Sequence, residues 1–438
     1  MKKLLLIQPT PYDRQGRPIK KHRLYFVGLT MPLLAALTPP EWEVEICLET
    51  IDAVPLDTDA DVVGIGSMGH GMVRSFDLAR EFKRRGKIVI LGGTMASLVP
   101  EEAVRHADAV VVGDAETVWP EVLADAVAGR LKPVYRRELT ELKTPPPRFD
   151  LLRGKPLGDF LPVQAGRGCP MACSFCSIHC LYRGKYWARE MDDVMRDIEQ
   201  VRALGFRKFL LLDDNIYSDP DRLRAMCGRI KPLGMRWMSQ CSIEIGHSPD
   251  LLRVLAESGC TALSFGLESL SQESLVAMKK GWADPAEYPA LIAAVQEAGI
   301  DVSTEMVVGG DGDTRESIAD TAGFIDRMGI VLPRFYILTP IPGTDFFDDM
   351  RRDGRLVHED LYRYNGTEAV HRPIHMTPDQ LTEAYWALYR RVFSWSSILR
   401  RTVFNRRLAH APGRALFYLG ANAYYRSQIW RRIAPNIL

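Results

Sequence analysis

The sequence predicts an α/β fold in which a doubly wound parallel sheet is followed by a partial (β/α)6 barrel and a mostly helical C-terminal region. Short apolar runs rich in β-branched residues alternate with amphipathic segments, which is typical of parallel strands covered by helices. The charged, proline-rich stretch "LKPVYRRELTELKTPPPRFDLL" at 131–152 interrupts this alternation and indicates a connector. We therefore expect domains at 1–135, 161–345 and 346–438, with a linker at 136–160.

The first domain is predicted to hold five strands with helices between them. The apolar runs that indicate strands lie at 3–9, 43–49, 61–67, 87–93 and 108–114. Helical patterns occupy 72–85 and 117–129, and the second ends at Gly129, a residue typical of a helix C-terminus.

The second domain is predicted to repeat a strand-then-helix unit six times. The strands are expected at 161–168, 208–214, 236–242, 262–268, 302–310 and 334–342, and the helices near 191–204, 220–231, 249–258, 285–298 and 315–328. Because the carboxyl ends of parallel strands meet at one edge, the polar residues that end these strands are expected to share a site. They are Asp213, Asp214, Asn215, Gln240, Ser242, Glu268, Ser269 and 309–313.

Composition indicates an ordinary globular protein of 438 residues, with 46% hydrophobic and 25% charged residues. A net charge of +1 gives no overall field that would attract nucleic acid, so no nucleic-acid partner is expected. The apolar run near the N-terminus, 4–7, is too short for a signal peptide, and no run of about 18 apolar residues could span a membrane. These features favour a cytoplasmic protein.

The last part of the chain differs in charge from the rest. No acidic residue follows Glu383, whereas ten arginines are interleaved with aromatic residues. Such a segment could hold an anionic or membrane-associated substrate, or contact the inner face of a membrane. The alternative is that its helices pack on the barrel with the arginines in solvent.

Three of the eight cysteines are clustered in "GRGCPMACSFC" at 166–176, with the spacing C-x3-C-x2-C. In a reducing compartment a disulfide framework is not expected, so the cluster indicates metal binding. Zinc would require a fourth ligand, for which His179 is available. A cubane iron–sulfur cluster held by three thiolates would leave one iron free for a small molecule. Spacing alone leaves both readings open.

This cysteine loop, placed directly after the first strand of a six-unit βα series and carrying Phe175 before the last cysteine, resembles the radical S-adenosylmethionine (SAM) superfamily. The resemblance covers about 161–345. It implies a [4Fe–4S] cluster on Cys169, Cys173 and Cys176, with SAM chelating the open iron. It also implies one-electron cleavage of SAM to a 5′-deoxyadenosyl radical that abstracts hydrogen from an unactivated carbon.

The same resemblance implies contacts to SAM at the strand ends. "LLDDN" (211–215) ends the second strand near the SAM amino group, "FGLES" (265–269) is similar to a motif near the ribose, and "VVGGDGDT" (307–314) looks like a glycine-rich turn against methionine and adenine. The implied cofactor contacts are Phe175, Asp213, Asp214, Gln240, Ser242, Glu268, Gly309 and Gly310. The alternatives are helix capping by the two aspartates and a structural salt bridge at Glu268.

The first domain carries a second resemblance. "GIGSMG" (64–69) matches a dinucleotide fingerprint only weakly, because it follows the third strand and no acid ends the next one. Together with "LGGTMASLVPEEA" (91–103) and "VVGDAETVWP" (111–120), the "GSMGH" segment resembles the cobalamin-binding domain of B12-dependent radical SAM enzymes. The implied contacts are Ser67, Met68, Gly69, His70, Gly92, Gly93, Thr94, Gly113 and Glu116. The alternative is a domain that binds no ligand.

The cobalt-ligating motif D-x-H-x-x-G of other cobalamin proteins is absent. The lower face of the cobalt is therefore expected to be open to water or blocked by a side chain, with His70 as a further candidate ligand.

Taken together, the resemblances imply a cobalamin-dependent radical SAM methyltransferase that acts on an unactivated carbon of a small molecule such as a lipid or tetrapyrrole. A flavodoxin- or ferredoxin-like protein would supply the electron. A second hypothesis keeps both cofactors but has the enzyme oxidise, cyclise or rearrange its substrate. A third is a zinc- or cluster-stabilised binding protein without catalysis. Cys180 is either an active-site residue or a buried spectator.

Overall fold

The computed structural model describes residues 2–66 and 68–435, and only the backbone of His70. Ser67 and the side chain of His70, both predicted cobalamin contacts, therefore lie outside the described residues. The chain divides into two compact units. The first comprises Met1–Arg167 and Cys180–Leu212, and the second comprises Gly168–His179 and Asp213–Leu438.

The first unit contains a six-stranded sheet in which every pair of neighbours is parallel. Its strands are β1 (Lys2–Gln8), β2 (Trp42–Leu48), β3 (Val62–Gly66), β4 (Ile88–Gly92), β5 (Ala109–Val112) and β6 (Val134–Arg136), in the order β2-β1-β3-β4-β5-β6. The helices are α1 (Thr30–Leu37), α2 (Met72–Arg84), α3 (Thr94–Leu98), α4 (Pro100–Val104) and α5 (Trp119–Val127). The five predicted strands are confirmed, and β6 is an addition that the sequence did not indicate.

The remainder of the first unit contains a parallel pair of strands, β7 (Phe160–Gln164) and β10 (Lys208–Leu212). Between them in the sequence lie β8 (Gly166–Gly168), α6 (Ser177–Tyr182), β9 (Tyr186–Ala188) and α7 (Met191–Ala203). The Arg189 guanidinium donates to Asp197 Oδ2 at 2.8 Å and to the Gln164 carbonyl at 2.9 Å. This buried pair joins α7 to the end of β7.

The second unit contains four parallel strands that pair in sequence order, β11 (Arg236–Cys241), β12 (Cys260–Glu268), β13 (Asp301–Val308) and β14 (Leu332–Ile337). Its helices are α8 (Pro220–Ile230), α9 (Pro249–Glu257), α10 (Gln272–Ala277), α11 (Tyr288–Glu297), α12 (Arg315–Met328), α13 (Asp345–Arg352), α14 (Pro378–Val392), α15 (Trp395–Arg401) and α16 (Pro412–Trp430). All six strands predicted between 161 and 342 are therefore present as β7 and β10–β14. The parallel α/β architecture is confirmed, and the region after β14 is mostly helical.

The strands of the second unit have one apolar and one polar face, because successive side chains point to opposite sides. Phe265, Met306 and Phe335 are fully buried. Tyr389 of α14 accepts a hydrogen bond from the Phe335 N–H at 2.9 Å and donates one to its carbonyl at 3.0 Å. The Tyr389 hydroxyl thereby supplies hydrogen-bond partners to the backbone of β14, the last strand of the sheet. The residues that alternate with the buried ones point to the other face of the strands. Within the described residues no helix is long and apolar enough to cross a membrane.

Candidate active site at the cysteine loop

The cysteine loop is held by backbone hydrogen bonds within the second unit. The Gly168 N–H donates to Asp214 Oδ2 at 2.6 Å, where the loop begins. Further along, the Ser174 N–H donates to the carbonyl of Met278 and the Phe346 N–H donates to the carbonyl of Ser174, both at 3.0 Å. These bonds connect the loop to Asp214, to the C-terminal end of α10 and to α13. The cysteine loop is therefore held in place by hydrogen bonds to the surrounding segments.

The three thiols of the loop lie close enough to influence one another. Burial raises the pKa of Cys173 to about 11, the nearby Lys280 ammonium opposes this rise, and Cys176 and Cys169 add to it. Burial also raises the pKa of Cys169, to which Cys176 contributes. For Cys176, burial raises the pKa while the backbone N–H of His179, at the start of α6, opposes the rise. The thiols are free of disulfides and share one partly buried environment.

A buried ion pair lies beside these thiols. Lys280 Nζ donates to Glu268 Oε1 at 3.0 Å and to the Gly266 carbonyl at 2.6 Å. Glu268 ends β12 in the left-handed conformation with φ of 62°, at the point where the pairing of β12 with β13 shifts register. Burial alone would lower the pKa of Lys280, but Glu268 and Cys173 outweigh it and raise the pKa above its ordinary value. A protonated lysine is therefore held next to the cysteine loop.

The residues that follow β10 organise the backbone around the loop. Asp213 Oδ1 accepts from the Asn215 N–H at 3.0 Å, and Asn215 Oδ1 accepts from the Ser242 N–H at 3.0 Å. The hydroxyl of Ser242 is buried without a hydrogen-bond partner among the described residues, whereas Gln240 is exposed. Helix capping, the alternative role for Asp213 and Asp214, is wrong for α8, because the N-cap of that helix is Asp219.

The glycine-rich turn after β13 is closed by a buried carboxylate. Asp313 Oδ2 accepts from the N–H groups of Gly309 and Gly310 at 2.8 and 3.0 Å. Its other oxygen accepts from the hydroxyls of Ser274 and Ser269 at 3.0 and 3.4 Å. Burial raises the pKa of Asp313, and these hydrogen bonds oppose the rise. The turn therefore uses two of its N–H groups internally.

A buried histidine holds the opposite side of this turn. His371 Nε2 donates to the Gly309 carbonyl at 3.1 Å. Gly309 has φ of +97°, and a Cβ at this position would lie 2.5 Å from Leu381 Cδ2. Both the conformation and the space therefore require glycine here.

The less buried face of β12–β14 carries a polar cluster. Arg334 of β14 forms an ion pair with Glu305 of β13, and Arg334 Nη2 donates to Ser264 Oγ of β12 at 3.2 Å. Arg334 Nε is buried without a hydrogen-bond partner among the described residues. Burial and the nearby Glu305 carboxylate raise the pKa of Tyr336 well above its ordinary value. Within the part of the chain that the structure describes, the face therefore offers one unused hydrogen-bond donor, Arg334 Nε.

The donor set of the cysteine loop fits an iron–sulfur cluster. Across 2–66 and 68–435, no three His, Cys, Asp or Glu side chains converge closely enough to hold a single metal ion. A cubane distributes its thiolates over different irons, so three neighbouring thiols need not converge on one point. His179 Nδ1 is buried without a hydrogen-bond partner among the described residues. Phe175 and Cys180 are both half-buried.

In the first unit, Ser97 joins the loops that follow β4 and β5. Its hydroxyl donates to the Gly93 carbonyl at 2.8 Å and accepts from the Gly113 N–H at 2.9 Å. Gly93 and Gly113 have φ of 97° and 82°, and no described heavy atom lies within 4 Å of a Cβ built on Gly113. Gly92 ends β4 and Thr94 begins α3. The two predicted loops are thus brought together at one edge of the sheet.

The acidic residues after β5 contact an arginine that the sequence analysis did not identify. Arg167 donates to Glu116 Oε1 at 2.7 Å and to Asp114, which also accepts from the Tyr182 hydroxyl at 3.0 Å. Burial alone would raise the pKa of Glu116, but Arg167 lowers it below its ordinary value. Glu116, a predicted cobalamin contact, is therefore an ionised carboxylate that is paired with the Arg167 guanidinium.

The loop after β3 is exposed at Met68 and Gly69. Met68 is 72% exposed, and no described heavy atom lies within 4 Å of a Cβ built on Gly69. Two further site residues were missed by the sequence analysis, namely Lys280 and Ser97. A lone lysine in a loop or a lone serine in a five-residue helix carries no periodic signal, so nothing in the sequence distinguished them.

Comparisons with known proteins identify the family of this chain. The family described as the radical SAM superfamily matches residues 163–325. The bacteriochlorophyllide d C-8(2)-methyltransferase of Chlorobaculum tepidum is 30% identical over 397 residues, which cover 86% of this chain and 88% of that protein. The C-12(1)-methyltransferase of the same organism is 30% identical and covers 91% and 89%.

Among solved structures, the radical SAM methyltransferase TsrM of Kitasatospora setae, with cobalamin and a [4Fe-4S] cluster bound, has a TM-score of 0.63. It is 17% identical and covers 81% of this chain and 75% of its own, so the likeness concerns the fold. The matched family region contains the cysteine loop, the Lys280–Glu268 pair and the glycine-rich turn. The conclusion from the loop, the strands and the relatives is that this chain belongs to the radical SAM superfamily.

Proposed function

We propose that this protein is a cobalamin-dependent radical SAM methyltransferase that adds a methyl group to an unactivated carbon of a small molecule. The observation that carries the proposal is the anchored loop of Cys169, Cys173 and Cys176 beside the buried Lys280–Glu268 pair. The two similar bacteriochlorophyllide methyltransferases support the transfer of a methyl group over the other outcomes of radical chemistry.

The three cysteines would hold the [4Fe–4S] cluster, and SAM would bind next to it. When bound, the cluster supplies the electron that cleaves SAM to a 5′-deoxyadenosyl radical, and cobalamin supplies the methyl group. Lys280 uses two of its three N–H donors on Gly266 and Glu268, which leaves one for the carboxylate of SAM. Asp213, Asp214, Gln240, Ser242, Gly309 and Gly310 remain proposed contacts to SAM, with Phe175 as a proposed neighbour of the cluster.

Cobalamin would bind at the edge of the first unit where the loops after β3, β4 and β5 meet. The free space beside Gly69 and Gly113 supports this placement, because a flat and bulky corrin needs an edge without side chains. Ser97 would hold the two glycine loops in position, and Arg167 would hold Glu116. Met68, Gly92, Gly93 and Thr94 remain proposed contacts, as do Ser67 and His70.

The substrate that the relatives favour is a tetrapyrrole, since both similar methyltransferases act on bacteriochlorophyllide d. We assign its polar substituents to the cluster of Ser264, Glu305 and Arg334. Arg334 Nε has no partner among the described residues, and a buried donor without an acceptor is costly unless a ligand supplies one. A lipid substrate is the second candidate. A flavodoxin- or ferredoxin-like protein is the proposed electron donor.

Corrinoid and iron content, measured on protein purified without oxygen from cobalamin-supplied cells, test the two cofactors together. We expect one corrinoid and one cubane of four irons per chain. Four irons without corrinoid would leave a radical SAM enzyme but contradict the methyl carrier. Substitution of Cys173 by Ala should abolish iron binding and 5′-deoxyadenosine formation, whereas Cys227→Ala, at a buried cysteine in α8, should affect neither.

The product distinguishes methylation from its alternatives. Incubation with SAM, a reductant and a bacteriochlorophyllide should add one CH2 unit to the product mass. Loss of hydrogen or gain of oxygen would favour the oxidising or cyclising hypothesis. Absence of SAM cleavage in iron-replete protein would favour a binding protein without catalysis.

A further inference from the structure

Helix α16, the last helix of the chain, is fixed to the second unit along one stripe. The Tyr418 hydroxyl donates to Asp301 Oδ2 at 2.5 Å. Asn422 Nδ2 donates to the Val331 carbonyl at 2.9 Å, and Ile429, one residue before the end of the helix, is buried. These contacts determine which side of α16 faces outward.

The outward stripe of α16 is apolar. Leu416 is 70% exposed, Phe417 64% and Tyr424 41%. Residues that are three, four or seven apart lie on the same side of a helix, so Phe417, Gly420 and Tyr424 form one line with Leu416 beside them. Large apolar side chains clustered on a surface mark an interaction site, whereas scattered ones do not.

Two tryptophans flank this stripe near the end of α16. Trp395 and Trp430 are each about half exposed, and the Arg426 guanidinium lies 5.5 and 4.1 Å from their ring centroids. Tryptophan, with an apolar ring and one polar N–H, is enriched where a membrane meets water.

Arginines without carboxylate partners adjoin the stripe. Arg400 pairs with Asp326 and Arg414 with Asp301, so part of the C-terminal charge is neutralised. Arg431 and Arg432 are exposed, and no carboxylate of the described residues pairs with them; the Arg432 guanidinium lies 6.0 Å from the centroid of the Trp386 ring. Arg431 follows Tyr424 by seven residues and therefore continues its line.

The apolar stripe, the two tryptophans and the arginines without carboxylate partners favour a lipid surface over a second copy of the chain as the binding partner of α16. A symmetric dimer would place the same patch on both sides of the interface. Because no acidic residue occurs after Glu383, the arginines of the two copies would face one another without counter-charges. A bilayer with anionic lipids supplies phosphates for the arginines and hydrocarbon for Leu416 and Phe417.

We propose that the α16 surface, formed by Trp395, Leu416, Phe417, Tyr424, Trp430, Arg431 and Arg432, binds peripherally to membranes that contain anionic lipids. The proposal is independent of methyl transfer and of both cofactors. It can therefore fail while the proposed function stands, and the reverse also holds.

Flotation of the full-length protein with vesicles tests the proposal. Wild type should float with vesicles of equal parts phosphatidylcholine and phosphatidylglycerol at about 0.1 M salt, and much less at about 1 M, since salt screens the charge. R431Q/R432Q should weaken partitioning about 30-fold, from about 1 kcal/mol per arginine. L416S/F417S should weaken it at least as much. The control variants I374S and R14Q/R207Q, at exposed sites elsewhere, should float like wild type.

Three results would overturn the proposal. One is the absence of flotation by wild type with the anionic vesicles, and another is equal flotation by wild type and R431Q/R432Q. The third is a concentration-dependent dimer without lipid that L416S/F417S dissociates, because a second copy would then cover the patch. The arginine pair follows the last helix and makes no ion pair among the described residues, so its substitution remains a test even if L416S/F417S fails to fold.

Discussion

The pH dependence of folding should report the buried histidine that holds the glycine-rich turn. His371 is fully buried and donates from Nε2 to the Gly309 carbonyl, while its Nδ1 has no partner among the described residues. Burial disfavours the charged ring and lowers its pKa from 6.5 to about 4. The native state therefore requires the neutral form.

The sign and size of the effect follow from this shift. As pH falls, the unfolded chain takes up a proton at its pKa of 6.5 before the native state does at about 4. The stabilisation is complete above pH 6.5 and is lost progressively as pH falls to 4. Between pH 7.5 and pH 5 we expect a loss of about 2 kcal/mol from this group, and about 3 kcal/mol when both states are protonated.

Urea unfolding of wild type and His371→Gln at pH 7.5 and pH 5 measures this contribution. Glutamine can still donate to the Gly309 carbonyl but does not titrate, so the variant should lose about 2 kcal/mol less than wild type on acidification. All other groups titrate in both proteins and cancel in the comparison. His22→Gln, at an exposed position, is the control and should behave like wild type. Equal losses in wild type and His371→Gln would refute the reasoning.

Three substitutions test other contacts of the site. Lys280→Met leaves Glu268 buried without its partner and should lower the free energy of unfolding by about 3–5 kcal/mol. Adding E268Q to Lys280→Met should restore part of this loss. A double variant no more stable than Lys280→Met would contradict the pairing. Ser97→Ala removes both hydrogen bonds of the Ser97 hydroxyl, of which the one to Gly113 joins the segments after β4 and β5. It should cost about 1–3 kcal/mol and speed hydrogen exchange of the Gly113 amide, whereas an unprotected wild-type amide would argue against the bond. Gly309→Ala should cost about 1–3 kcal/mol in thermal unfolding because of its φ and the approach to Leu381, and a neutral effect would show that the turn relaxes.

The strands of this protein could be predicted because each carries a short apolar pattern, either continuous or alternating. β1 contains a continuous apolar run at 4–7, whereas β13 alternates, with Val302, Met306 and Val308 buried between less buried residues. Several elements that the sequence missed in the first two predicted domains are short. The strand β6 has three residues, and α6 and α10 have six each, so none completes enough repeats to show a period. Their positions follow from tertiary packing.

The candidate site, like the fold, could be predicted from the sequence only in part. The cysteine loop was visible because three thiols at close spacing are rare, and the salt bridge weighed for Glu268 is present, with Lys280 as its partner. Nothing in "MKKGW" separates Lys280 from Lys279, yet the first is buried and the second exposed. The role of Arg167 could not be predicted either, because its ion pairs with Asp114 and Glu116 join residues about fifty positions apart in the sequence. Contacts of this kind are properties of the fold.

The structure changes the role that the sequence suggested for the glycine-rich turn at 307–314. Clustered glycines after a strand often present backbone N–H groups to an anionic ligand. Here the N–H groups of Gly309 and Gly310 already donate to Asp313, whose second oxygen is held by Ser274. The donors that such a ligand would need are therefore occupied. The Cβ positions of Gly309 and Gly310 face Leu381 and Ser274, so the two glycines let the turn pack closely against these side chains. A contact with SAM at this turn would have to use backbone groups other than these two N–H groups.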